Sequence, residues 1–390
     1  MTSILKIIGA TILLLVILFA LAVTIVPRFL DRVYYRGPVT DHFDGEHFFN
    51  PGGNDDTLRP PGGGGRASFI WKYLTGTDGR PAWPDHVPVT PTKPAARIEG
   101  ERMVVTWIGH ATVLIQTQGL NILTDPVWSD RAGPFDRLGP TRVARPGVRF
   151  DDLPKIDVVL VSHNHYDHLD KTTLKRLWRR DHPRIVTSLG NDSVIGQTGA
   201  QATALDWGQR VTLRPGIDVI VTRNHHWGSR WGTDRNRALW SSFVITFPAG
   251  GNVFFAGDTG IGDGQWPAEA AAYGPIRLAL IPIGAFRFVA GQMASGSHIG
   301  PMDAVKVFAR LGASRAIPIH WGTFRLSYEG YDTPPRMLDA LMRCTGGDPA
   351  SFTAAQIGQP VMVPVFSSPI KPDERKIAAC MKTPEITSLP

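Results

Sequence analysis

The apolar and polar positions divide the chain before any chemistry is considered. From Ile4 to Val26 the only charged residue is Lys6, and a helix of that length measures roughly 34 Å, enough to cross a bilayer. Ala20-Leu21-Ala22 offers small residues at a signal-cleavage spacing, but the apolar run is long for a signal peptide and continues past that point, which favours an uncleaved anchor. From Tyr34 to Gly65 no periodic apolar face exists, and Pro60-Pro61 is followed by four glycines, the pattern of a linker or extended arm. Its aromatic residues Phe43, Phe48 and Phe49, with Phe69, Trp71 and Tyr73 just beyond, are too apolar for a free tether and predict that parts of this region lie against a globular body. Pro81 to Pro94 reads as another extended connector.

Strand-like runs begin at Met103 to Ile108 and continue at Val113 to Thr117, Asn121 to Thr124, Val158 to Val161, Arg184 to Ser188, Val211 to Leu213 and Ile217 to Thr222. Ser241 to Phe247 and Asn252 to Ala256 predict an antiparallel pair turned by Ala249-Gly250-Gly251, and Leu278 to Ile283 and Ala316 to Ile319 are further strands. Lys171 to Asp181 carries Leu174, Leu177 and Trp178 at helical spacing among five basic side chains, an amphipathic helix whose charged side is by default solvated. Pro301 to Leu311 is a second helix, with proline in its first turn. Meandering strands followed by alternating strands and helices predict an α/β fold of two β-rich halves packed face to face, with helices outside. The residues from Lys371 to Pro390 are expected to be loosely ordered.

The ends of these strands carry the candidate chemistry. Val158-Val159-Leu160-Val161 runs into Ser162-His163-Asn164-His165-Tyr166-Asp167-His168-Leu169-Asp170. Alternation lets His163 and His165 face one point, and the following turn brings Asp167 and His168 towards a neighbouring point. Imidazole nitrogen and carboxylate oxygen are ligands that zinc and similar ions prefer. Later strand ends deliver His225 and His226, then Asp258 between two glycines, then His320. Spacing alone does not pair these candidates. His110, after the first strand, and Asp125, after the third, are candidates for a supporting place beside the ligands or for a purely structural one.

Composition refines this picture at two points. A formal charge of +7 and a pI of about 9.5 favour anionic partners. The apolar N-terminal run makes that partner a membrane, and the lack of a basic arm interleaved with aromatic residues argues against nucleic acid. Arg28, Arg32 and Arg36 follow the run while Lys6 precedes it, which by the positive-inside rule leaves the globular part cytoplasmic. Cys344 and Cys380 lie away from the histidines and read as two ordinary thiols.

The words Thr-Trp-Ile-Gly-His-Ala-Thr, the His-rich stretch with its flanks, His226-Trp227, Phe-Phe-Ala-Gly-Asp-Thr-Gly, Ile-Pro-Ile-Gly-Ala and Ile-His-Trp-Gly-Thr-Phe cover Met103 to Phe324. Together they resemble the metallo-β-lactamase superfamily, and within it the N-acylphosphatidylethanolamine-hydrolysing phospholipase D family. The resemblance implies a four-layer αββα metallo-β-lactamase fold, here behind an N-terminal transmembrane helix. It implies two zinc ions, one held by His163, His165 and His226 and the other by Asp167, His168 and His320, with Asp258 bridging. It further implies water activated between the ions, oriented by Asp258 and Asp167, and a leaving oxygen served by His298; His110 and His225 are candidate substrate contacts. The substrate implied is N-acylphosphatidylethanolamine, cleaved to N-acylethanolamine and phosphatidic acid. The chain departs from the family at Ile299 to Asp303 and in its apolar run and Gly-rich arm.

The expected organisation is an anchor or signal peptide over 1–27, an arm over 28–100, a hydrolase domain over 101–366 and a tail over 367–390. The expected location is a single-pass place in a bacterial envelope. The alternatives on this reading are a lactonase or small-phosphodiester hydrolase of the same fold, or an inactive membrane-anchored metal-binding protein.

Overall fold

The structure is a computed structural model that describes residues 2–30, 34–53, 79–288, 292–293 and 295–390. Phe69, Trp71 and Tyr73 lie outside the described residues. Helix α1 (Thr2–Leu30) contains a 24-residue stretch, Ser3–Val26, that is long and apolar enough to cross a membrane, and none of it is buried in the protein.

Two mixed sheets form the body. Strands β1 (Met103–Gly109), β2 (Thr112–Thr117), β3 (Leu120–Thr124), β4 (Val158–Val161), β5 (Arg184–Ser188) and β6 (Ala202–Leu205) make the first, and β13 (Pro360–Val363) returns to its edge beside β1. Strands β7 (Arg210–Arg214), β8 (Ile217–Thr222), β9 (Ser242–Ile245), β10 (Asn252–Phe255), β11 (Ile276–Pro282) and β12 (Arg315–Ile319) make the second in spatial order β12-β11-β10-β9-β8-β7. The first sheet turns from antiparallel to parallel at β3 and the second at β10. Helices α2 (Lys171–Asp181) and α3 (Asn191–Gly196) cover the first sheet, and α4 (Trp266–Ala271), α5 (Pro301–Leu311) and α6 (Thr333–Thr345) cover the second.

Strand β4 shows why its sequence is apolar without alternation. Val158 and Leu160 point between the sheets, against a core that includes Val219, Phe243, Phe255 and Leu280. Val159 and Val161 point outwards against Leu174 and Leu177 of α2. A strand buried on both faces has no polar position to spare. In β10 the same division sends Val253 and Phe255 inwards and Phe254 outwards against α4 and α5.

The arm lies against this body where it is described. Phe43 and Phe48 pair with one another and pack on Leu239 and Trp240, and each buried Phe is worth roughly 2–3 kcal/mol of apolar transfer. Tyr34 Oη donates to Asp234 at 2.6 Å, and the His42 ring bonds Asp206 at 2.8 Å while stacking on Trp207.

Two expectations from the sequence are corrected. Cys344 and Cys380 are joined in a disulfide, and no described cysteine is free. The tail is not loose either. Ile377 and Cys380, three apart in α7 (Ile377–Cys380), and Ile386 in α8 (Pro384–Thr387) with Leu389 bury themselves in the core under α6. Those apolar residues are sparse in a polar segment, so their common face emerges only once the disulfide and α6 are in place.

Candidate metal centre

Parallel strands deliver their C-terminal ends to one rim, the usual location of sites in open α/β sheets. The ends of β4, β8, β10 and β12 meet there, and each delivers a His or Asp within four residues of its last strand residue. Close approach requires glycine at two positions of the junction after β10. A Cβ on Gly257, whose φ is +61°, would lie 2.6 Å from Ser162 Cβ, and one on Gly260 would collide with the Gly296 carbonyl oxygen. Glycine therefore lets the loop bearing Asp258 pass between the His163 turn and the His298 loop.

The ligand-type atoms form two adjoining groups. His163, His165 and His226 offer nitrogens within 4.8 Å of one another, as do the side chains of His110, Asp167, His168 and His320. His163 Nε2 stands 2.8 Å and His226 Nε2 3.4 Å from His165 Nδ1. Nitrogens about 2.05 Å from a tetrahedral ion are about 3.3 Å apart, so this trio has the right spacing to close on a cation. Asp258 sits between the groups, with Oδ2 2.9 Å from His320 Nε2, 3.1 Å from His168 Nε2, 3.7 Å from His298 Nδ1 and 4.0 Å from His226 Nε2. Asp167 Oδ2 lies 2.9 Å from His110 Nε2, 3.4 Å from His320 Nε2 and 3.5 Å from His168 Nε2.

Burial and hydrogen bonding test whether these residues suit a metal. His168 Nε2, His320 Nε2 and Asp258 Oδ1 are buried without a hydrogen-bond partner of good geometry. Such orphans are costly in a plain core, and they fit a cation. The opposite ring nitrogens are already engaged: His168 Nδ1 with Asp125 at 2.6 Å, His163 Nδ1 with Ser162 Oγ at 2.9 Å, and His226 Nδ1 with the Ser297 carbonyl at 2.9 Å. Each of these bonds leaves Nε2 turned into the group, as outer partners of metal-binding histidines do.

Protonation follows the same division. Burial pushes His163 and His226 well below the ordinary imidazole range and His165 down to about 4, so this trio is neutral, the ligating form. Burial also opposes charge on His168 and His320, but Asp258 and Asp167 outweigh it, raising His168 well above the ordinary range and His320 to about 9. Burial opposes charge on both carboxylates in turn, and the facing histidines overcome it and hold Asp258 and Asp167 well below the usual range. Two bound cations would take the place of those two imidazolium charges.

A cavity of about 250 Å³ opens over the groups, lined in part by His165, Asp167, Asp258 and His298 and by Tyr166, Trp227, Phe288 and Leu326. His298 is pushed by burial to about 4. Two expected substrate contacts are not in this wall. His110 is buried behind Asp167, with its ring 4.2 Å from that of His320. His225 turns aside, its ring packed against Gly262 so closely that a Cβ there would meet Nδ1. The backbone explains the placing of His110 and His320: both have φ near +60°, uncommon for a residue with a Cβ, and His320 N–H donates to the His110 carbonyl at 3.0 Å.

Sequence reasoning missed most of the supporting frame. Asp170 caps α2 through Thr173 N–H and accepts from Trp128 and Ser129 N–H. Arg230 donates to the carbonyls of Asn164 and Leu169, with its guanidinium 4.0 Å over the Tyr166 ring, clamping the His-rich turn from outside. A capping Asp before a helical run was readable; Arg230 had no local signal.

A sequence profile described as the β-lactamase superfamily domain matches residues 120–321. The chain belongs to the metallo-β-lactamase superfamily. It is 34% identical over 248 residues to an uncharacterized protein of Mycobacterium tuberculosis, covering 62% of this chain and 64% of that protein. It is 36% identical over 245 residues to N-acyl-phosphatidylethanolamine-hydrolyzing phospholipase D 1 of Caenorhabditis elegans, covering 60% of this chain and 68% of that one. The chain thus spans somewhat less than two thirds of the mycobacterial relative. Among solved structures, the metallo hydrolase Igni18 of Ignicoccus hospitalis (TM-score 0.52, 19% identity) and an isothiocyanate hydrolase from Delia radicum gut bacteria (TM-score 0.54, 17% identity) each cover 68% of this chain and 100% of their own, a likeness of fold.

Proposed function

We propose that the protein is a phospholipid phosphodiesterase that cleaves N-acylphosphatidylethanolamine to N-acylethanolamine and phosphatidic acid, with two zinc ions held by His163, His165 and His226 and by Asp167, His168 and His320, and Asp258 between them. The observation that carries this reading is the Asp258 carboxylate lying within 4.0 Å of nitrogens from both histidine groups, at the floor of a cavity walled by aromatic and apolar side chains. Support for the substrate comes from the 36% identity to the nematode phospholipase D.

When bound, the two ions supply Lewis acidity towards a phosphoryl oxygen and lower the pKa of water. The protein's own residues do the rest. Asp258 and Asp167, held ionised by their histidine neighbours, orient the attacking water and accept its proton. His298, neutral in its buried position, offers a ring N–H to the leaving oxygen. Trp227, Phe288 and Leu326 exclude bulk water from the cavity.

A panel of N-acylphosphatidylethanolamine, phosphatidylethanolamine, lactones and RNA, offered to zinc-loaded protein with products identified, tests the reading. Release of N-acylethanolamine is expected. Turnover of a lactone with none of phospholipid would replace it with a small-molecule hydrolase.

A further inference from the structure

Beside the catalytic cavity stands a hairpin that neither the ligand groups nor the core require. Arg131 bridges Thr141, Ala132 N–H donates to the Pro140 carbonyl at 3.1 Å, and Arg142 N–H donates to the Asp130 carbonyl at 2.8 Å. The tip holds two large apolar side chains out into solvent, Phe135 at 70% and Leu138 at 58% exposure. Exposing such side chains together is unfavourable unless something covers them. Outside α1, the other exposed large apolar side chains among the described residues line neither of the two cavities on this side of the molecule.

The hairpin is continuous with the site. Ala132 at its base lines the catalytic cavity. Gly133, Phe135 and Asp136 line a second cavity of about 480 Å³, and Tyr166 lines both. The Phe135 ring lies 5.8 Å from that of Trp231, and Asp136 accepts a hydrogen bond from Thr172 Oγ1 at the start of α2. Thr172, Lys175 and Arg179 follow at i, i+3 and i+7, one helical stripe, and all are exposed. The apolar tip therefore stands at the end of a stripe whose cations are Lys175 and Arg179, and Arg131 and Arg137 in the hairpin itself are also exposed. Apolar side chains beside exposed cations match a surface with an apolar interior and anionic headgroups. The span in α1 is long enough to hold the chain at such a surface.

We propose that the 131–141 hairpin is an interfacial wedge that inserts Phe135 and Leu138 into an anionic bilayer, with the basic stripe of α2 on the headgroups, and so opens the catalytic cavity onto the lipid. The proposal rests on the reading of the substrate as a phospholipid and assigns the surface through which that substrate enters.

The test uses the full chain in vesicles of phosphatidylcholine with and without phosphatidylglycerol. Single cysteines F135C, L138C and D151C carry an environment-sensitive fluorophore; both native cysteines are in the disulfide, and Asp151 is an exposed control. Nitroxide-labelled lipid is expected to quench positions 135 and 138 several-fold more than 151, and phosphatidylglycerol is expected to strengthen the effect. The F135D/L138D variant, altered only at exposed positions, is expected to raise KM for vesicle lipid about tenfold, since withdrawing one large apolar side chain from water is worth at least that factor. Quenching at 135 no stronger than at 151, with wild-type lipid turnover intact, overturns the wedge. Strong quenching without lipid turnover upholds the wedge and removes the substrate reading.

Discussion

Asp125 is expected to control metal binding without touching a metal, and Asp125→Asn isolates how. Its carboxylate is fully buried and accepts three bonds: Oδ1 from Ser162 N–H at 2.7 Å, and Oδ2 from Ser162 Oγ at 2.6 Å and from His168 Nδ1 at 2.6 Å. In the asparagine variant the amide oxygen must keep the Oδ1 place, because the Ser162 backbone N–H can only donate. The NH2 group then occupies the Oδ2 place and donates. Ser162 Oγ accommodates this by rotating, since a hydroxyl also accepts. His168 accommodates it only by changing tautomer, moving its proton to Nε2, the atom that faces Asp258. A protonated Nε2 has no lone pair for a cation. Loss of such an outer partner costs 10–100-fold in metal affinity, or about 1.4–2.7 kcal/mol. Competition against a chromophoric zinc chelator measures this directly. The melting temperature of the metal-free variant separates it from misfolding. Unchanged affinity for both zinc ions in a folded variant would refute the assignment of His168 Nε2 to the metal.

Four further outcomes are expected. Asp258→Asn should abolish turnover while leaving far-UV circular dichroism intact; retained turnover removes Asp258 from the reaction. Metal analysis should find about two zinc per chain, and chelation should remove activity that zinc restores; a fully folded preparation that never takes up metal would favour an inactive scaffold. The arm should loosen in alkali. Burial works against charge on His42, but hydrogen bonds to Asp206 and Asp41 raise its pKa above the ordinary 6.5, so their contribution is complete below pH 6.5 and is lost as pH rises through the raised value; protease cleavage within residues 34–53 that is equally slow on both sides of that window would contradict it. Cys380→Ser should destabilise the domain by roughly 3–4 kcal/mol, the chain-entropy value for a loop closed across a sequence separation of 36, and because such bonds persist in oxidising compartments, finding both thiols reduced in intact cells would support the cytoplasmic side that Arg28, Arg32 and Arg36 suggest.

What was legible in the sequence and what was not separates by the range of the interaction. Val158 to Val161 announced a strand buried on both faces, and the residues after it announced ligands, because strand periodicity and a His-rich turn are local facts. His226, Asp258 and His320 were legible because each lies within four residues of the end of a strand of its own. The pairing of these ends was not legible from spacing, since it depends on β4 lying in one sheet and β8, β10 and β12 in the other. The disulfide and the packed tail were missed for the same reason: Cys380, Ile386 and Leu389 acquire a common face only against α6, far earlier in the chain. His110 is legible only in part: its Gly-His-Ala-Thr turn allows a supporting place beside the ligands, a purely structural one or a substrate contact, and its positive φ folds the chain back so that the ring lies behind Asp167 and its carbonyl receives the His320 N–H. That single hydrogen bond ties the end of β1 in one sheet to the end of β12 in the other. Replacing His110 with alanine is therefore expected to act through the position of Asp167 and His320, lowering kcat more than it raises KM; a side chain that held substrate in the cavity wall would show the reverse when removed.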